Sequence, residues 1–233
     1  MSLYDRDYAR EGAYGYGAAQ RSETQLVSFV KETYKLFAAS MLAGAVGAYV
    51  GIPMAAAIQS FIWPLFFLEL GLLFGLHFVK HKPGLNLVVL FAFTFMTGIT
   101  LAPLLSMILG MSGGAAIVGN AFAMTAFIVG GMSFFAIKTT RDFTGYGKPL
   151  MIALLVIIAG SLLNIFLIES SLVHIMIQAA VVFLFSILVV FDTQNIIRGN
   201  IDSPVMGAVA LYLDFLNIFT ALLQLFGVFG GEE

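Results

Sequence analysis

No cysteine occurs in this chain, which excludes disulfides, thiolate metal sites and cysteine nucleophiles together. Charge is scarce as well. Asp, Glu, Lys and Arg make up 10% of the residues against 60% hydrophobic, and a mean hydropathy of +0.98 excludes an ordinary soluble domain. Ten of the charges lie between Asp5 and Lys35, and most of the others occupy short breaks between apolar runs. No basic patch is interleaved with aromatics, which argues against nucleic acid as a partner. No lysine follows Lys148, so a retinal-type Schiff base in the last apolar run is excluded. The N-terminus has no signal-peptide pattern: residues 1–30 are polar, rich in Gly and Tyr, and carry Asp5, Asp7 and Glu11. Residues 1–24 are expected to form a flexible tail.

What remains is apolar and long. Seven segments, at about 33–52, 58–79, 85–109, 115–137, 149–168, 172–197 and 205–229, are each long enough to cross a bilayer. The breaks carry turn chemistry, as in His81-Lys-Pro-Gly84 and Gly199-Asn-Ile-Asp-Ser-Pro204. The weakest is Glu169-Ser-Ser171. The fold class is therefore all-α, a polytopic membrane protein of seven spans over residues 25–233. With the N-terminus placed in the cytoplasm, every Lys and Arg falls on that side and none on the other. That agrees with the positive-inside rule and predicts an outside C-terminus. The Gly47/Gly51 and Gly71/Gly75 pairs have GxxxG spacing and predict close helix packing. Tyr49 and Trp63 suit one interfacial belt, Tyr34 and Tyr146 the other.

Against this background the intramembrane acids stand out. Asp192 closes the sixth span and Asp214 lies near the middle of the seventh. An ionised aspartate at the centre of a bilayer helix costs on the order of 2.5–3.5 kcal/mol even on the lenient insertion scale. From the 1.5 Å helical rise, Asp192 lies about 9 Å and Asp214 about 13–14 Å from the same side. The two spans form a hairpin, so the carboxylates fall within about 5 Å of each other in depth. Rotation about each helix is left open by the sequence. Were they to meet, they would share one proton and titrate as a unit. Deprotonated, they would offer a hard oxygen site suited transiently to calcium, with carbonyls or water completing the shell. Each could instead satisfy local helix ends.

Asn217 and Gln224 share the face of Asp214 and are expected to line a path. A third acid, Glu69, lies at mid-depth in the second span and could line the same path. Thr94, Thr97 and Thr100 are expected to bond back to their own helix, and Asn164 is a weaker candidate for polar contact between helices. Other constellations are weaker. Gly110-Met-Ser-Gly113 with His174 spells an intramembrane serine protease, but Ser112 falls in a loop, away from the depth a dyad requires. His77 and His81 have metal-compatible spacing, yet no carboxylate lies nearby in sequence. A presenilin-type aspartyl dyad lacks the surrounding Gly-x-Gly-Asp and Pro-Ala-Leu patterns.

The segments Phe191-Asp-Thr-Gln-Asn-Ile-Ile197 and Ala210-Leu-Tyr-Leu-Asp-Phe-Leu-Asn-Ile-Phe219 resemble the transmembrane Bax inhibitor motif family. Phe91-Ala-Phe-Thr-Phe-Met-Thr-Gly-Ile-Thr-Leu-Ala-Pro103 and Lys138-Thr-Thr-Arg-Asp-Phe143 add to the resemblance, which runs from about Lys31 to the end. It implies a seven-helix fold around a central last helix and a pH-sensitive calcium leak. Asp192 and Asp214 would be the diaspartyl sensor, and Glu69 the acid of the second span. Lys80 would be a possible latch, although a lysine lacks the bidentate fork of arginine. The expectation is thus a calcium leak with no enzymatic activity and no cofactor beyond the transported ion, placed in a bacterial inner membrane. A non-conducting regulator that binds a protein partner is the alternative from another class, and the aspartyl protease is the second.

Overall fold

The computed structural model describes residues 22–230, so the tail expected over residues 1–24 lies almost wholly outside the described residues. Those described are helical and contain seven spans long and apolar enough to cross a membrane. In chain order the helices are α1 (Glu23–Gly51), α2 (Ala55–Ser60), α3 (Ile62–Val79), α4 (Leu85–Leu109), α5 (Gly114–Lys138), α6 (Gly147–Leu163), α7 (Ser171–Ile197) and α8 (Pro204–Gly230).

The first span departs from the expectation at both ends. α1 begins at Glu23, ten residues before the apolar run, because Ser22 and Gln25 form a reciprocal capping box. Gly51-Ile-Pro53 is a bend rather than a loop. A 3-10 turn at Ile52–Met54 carries the chain into α2, with Pro53 near its start, where a missing N–H does no harm. The break falls instead at Phe61, between α2 and α3. The weak boundary at Glu169 is real: α6 ends in a π-helical turn, Asn164–Ile168, and Glu169 adopts a left-handed conformation (φ 51°). Buried Asn164 accepts from the Ser170 N–H there, closing the corner rather than bonding across helices.

α8 is the centre of the bundle. It packs against α7, α1, α5 and α4, and 67% of the residues in its most apolar stretch are buried, against 6% for α3 and for the α6 span. Leu211, Ile218 and Leu223 are fully buried along it. The most extensive interface joins α1 to α4. Gly47 abuts the Phe95 carbonyl and Gly98 the Gly44 carbonyl, so close that neither glycine could carry a Cβ in place. The second GxxxG pair does not pack. Gly71 and Gly75 meet nothing within 4 Å, since α3 touches the bundle chiefly through α4. Tyr49, Trp63 and Tyr146 are exposed, as belt residues should be, but Tyr34 packs inward with the Phe29, Ile196 and Leu211 cluster.

Candidate functional site: paired acids beside a polar crevice

The α7–α8 hairpin turns through Gly199, whose positive φ (73°) favours glycine. It sets the two aspartates against each other. Asp192 is half-buried and Asp214 is 3% exposed; their carboxyls lie within hydrogen-bonding reach. Two carboxyls can bond only when one carries a proton, because ionised carboxylates are acceptors alone. Oδ2 of Asp214 is buried without a donor. The helical rotation left open by the sequence is therefore resolved in favour of contact.

Two residues along α7, Gln194 fixes this helix to the chain between α5 and α6. Its Nε2 donates to the Arg141 carbonyl at 2.9 Å and more weakly to that of Ala136, and its Oε1 accepts from the Phe143 N–H at 2.7 Å. Thr193 donates to Ser133 on α5 at 3.2 Å. Sequence reasoning passed over Gln194, although a glutamine in the same turn as an intramembrane acid is itself a signal. Its burial is nearly complete. Gln194→Ala should therefore lower stability by about 1–3 kcal/mol, the cost of orphaning buried backbone groups, measured as a fall in Tm in detergent.

The C-terminal half of α8 borders a second polar feature, a crevice of about 290 Å³ lined by Glu69, Thr97, Thr100, Asn217, Thr220 and Gln224 among others. The three residues expected to line a path, Glu69, Asn217 and Gln224, do converge on one space. Neither aspartate lines it; Asn217 sits one turn from Asp214, about 4.5 Å of helical rise away. Thr100 donates to Glu69 at 2.5 Å. The threonines also bond backward along α4, as expected. The Asn217 amide donates to the Leu213 carbonyl, which leaves its oxygen for the crevice. The hydroxyls of Tyr212 and Thr97 meet at 2.5 Å, both within reach of the Thr94 carbonyl.

At the far end the orientation of Gln224 is determined. Its amide donates to the Thr220 carbonyl, so its oxygen faces His174 at 3.1 Å and Gln178 at 3.4 Å. In its Nε2–H form His174 donates to that oxygen. His174 is thus a brace between α7 and α8. Ser112 stands in the turn before α5, exposed.

The side of the bundle that carries the basic residues holds the hairpin loop in two ion pairs. Lys80 pairs with Asp202 at 2.5 Å, with His81 at 3.5 Å from the same oxygen; Arg198 pairs with Asp142 at 2.5 Å. Lys80 therefore reaches Asp202 and not the acids of the spans. Partial burial pushes Asp202 up, but the Lys80 hydrogen bond and the charges of Lys80 and His81 outweigh it and hold the carboxyl below the usual range. Hydrogen bonds from the Thr144 hydroxyl and N–H, and then Arg198, hold Asp142 low. A depressed carboxylate contributes stability above its unfolded pKa and loses it as pH falls through the folded value. Lys80 is partly covered, but the Asp202 carboxylate is 46% exposed, so Asp202→Asn should cost no more than about 1 kcal/mol, less in high salt, by thermal unfolding at two ionic strengths.

The fold and its site define a class: a seven-helix integral membrane protein whose last two spans bring two carboxyls together inside the bundle. Residues 26–231 match the family model described as inhibitor of apoptosis-promoting Bax1, and the chain belongs to that Bax inhibitor-like family. It is 50% identical to an uncharacterized protein of Campylobacter jejuni across the whole of both chains. It is 46% identical to an uncharacterized protein of Helicobacter pylori, again over the whole of both. It is also similar to the modulator of FtsH protease YccA of Escherichia coli, 28% identical over 90% of this chain and 95% of that protein.

Proposed function

We propose that this chain is a pH-gated cation leak that passes calcium down its gradient. The observation that carries the reading is the contact of the Asp192 and Asp214 carboxyls on adjacent antiparallel spans. The polar face of the same α8 continues into the crevice at Glu69. With a proton shared, the pair ties α7 to α8 and the path is closed. Without it, two like charges in a poorly hydrated interior repel, the helices part, and a cation passes the two carboxylates and then Glu69, Asn217 and Gln224. Calcium at the pair would be bound transiently, its remaining ligands carbonyls or water. No catalytic step is involved. Lys80 acts as a latch on the loop, through Asp202, rather than on the acids. The bacterial relatives and the one-sided distribution of Lys and Arg support an inner-membrane location with the N-terminus in the cytoplasm.

The test is calcium entry into proteoliposomes, followed by a trapped dye from acid to neutral pH. Entry should exceed that of empty liposomes and rise with pH; no excess at any pH would overturn the reading. One observation favours a second reading. A relative is named as a modulator of a membrane protease, which supports a non-conducting regulator that binds a protein partner. Removal of residues 1–24 separates the two: flux should survive the deletion, whereas a partnership made through the tail should not.

A further inference from the structure

α1 and α5 both pack on α8 and on α4, yet share no extended interface with each other. The central helix is therefore walled on two sides and reachable between them. The opening is a groove of about 270 Å³ whose floor is Tyr212, Phe215 and Phe219 of α8. Small residues line it: Gly44, Ala45 and Ala48 of α1 and Gly98 of α4. Along α1 the lining runs from Met41 to Ile52, about 16 Å at the helical rise.

Phe122 of α5 leans over one edge, its ring 5.6 Å from Phe215 and 6.2 Å from Phe219, and remains half exposed. At the other edge Ala45 is exposed and Tyr49 is 79% exposed. The lining is almost wholly apolar, so a water inside would find too few of its usual partners. All the wall helices belong to membrane spans, and the medium at that depth is lipid hydrocarbon. A protein helix, about 10–12 Å across, is too wide for this space; an extended hydrocarbon chain is not. The end of the groove away from Lys31 and Lys35 carries Tyr49, an amphipathic ring of the kind that sits at headgroup level.

We propose that the groove between α1 and α5 binds one acyl chain of a phospholipid. The lipid belongs to the leaflet at the level of Tyr49, with the chain directed toward Met41 and the phenol beside the ester region. Phe215 and Phe219 lie on the side of α8 away from Asp214, Asn217 and Gln224, so the bound chain supports the acid-bearing helix from behind. The site does not depend on whether the chain conducts calcium.

The experiment is photolabelling of the full-length protein in phosphatidylethanolamine vesicles, doped with a phospholipid bearing a diazirine along one acyl chain, with labelled residues located by peptide mass spectrometry. Label is expected on α8 between Tyr212 and Phe219 as well as on exposed α3. Ala45→Trp, which fills the groove from its mouth, should reduce the α8 label about tenfold, the change that a loss of ~1.4 kcal/mol in binding produces, and leave the α3 label unchanged. Val118→Trp fills the same space from α5 and serves if the first variant does not fold. Absence of label on α8 in the wild-type protein would overturn the proposal. So would α8 label that persists in a folded groove-filled variant.

Discussion

Replacing Gly98 by leucine should abolish the folded protein, or leave it destabilised by more than about 3 kcal/mol, the upper end of overpacking costs. A Cβ at this position would fall on the Gly44 carbonyl oxygen and 2.8 Å from the Ala48 nitrogen. Both obstacles are backbone, so no change of rotamer relieves them; α1 must move away from α4 as a whole. That interface is the most extensive in the fold, and Gly47, facing the Phe95 carbonyl, belongs to the same seam. Close backbone approach through small residues is a principal source of association between membrane helices, because lipid supplies no hydrophobic drive. Gly75→Leu is the matched comparison. The same substitution on a glycine with nothing within 4 Å should change Tm little. Yield and thermal unfolding in detergent measure both, and equal behaviour of the two variants would contradict the α1–α4 seam.

Asp214→Asn should remove the pH dependence of calcium entry while leaving the protein folded. A carboxamide has nearly the shape of the carboxyl and still hydrogen-bonds to Asp192, but it never ionises. In the proposed leak, the wild-type pair passes from one shared proton to none as pH rises. Mutual repulsion then appears and the hairpin opens, so flux should increase from acid to neutral pH. In the variant the repulsion cannot form, and flux should stay near its acid value throughout. Asp192→Asn should behave alike, because a coupled pair titrates as one unit. A variant that keeps the wild-type profile would place the sensor elsewhere. Glu69, the other acid at bilayer depth, would be next.

Much of this architecture was legible in the sequence because a bilayer imposes a length and a polarity on each span. The apolar runs, the turn residues and the two acids at similar depth all report directly on that constraint. What escaped was set by tertiary packing. The start of α1 depends on Ser22 and Gln25, a capping signal visible in the sequence but overridden there by the later onset of hydrophobicity. The two GxxxG pairs are alike as strings, yet only Gly47/Gly51 has a partner helix opposite, because α3 sits at the periphery. Lys80 reaches Asp202 through the fold of two separate loops, which no spacing along the chain encodes. The contact of Asp192 with Asp214 needed the rotation of both helices, fixed by the packing of α8 against four neighbours. Gln194 and Gln178 were overlooked, and His174 was weighed only as a partner of Ser112, because an isolated polar residue in an apolar run does not announce its partner.

In the proposed mechanism Asp192 and Asp214 hold one proton between them when the path is closed. Infrared difference spectroscopy of the protein in lipid, titrated from neutral to acid pH, reads that proton through the carbonyl stretch of a protonated carboxyl. One such band is expected from the pair, appearing in a single step that matches the loss of calcium flux, with an altered band in both Asp192→Asn and Asp214→Asn. A band that is unchanged in either variant, or no protonated carboxyl where flux is closed, would contradict the shared proton.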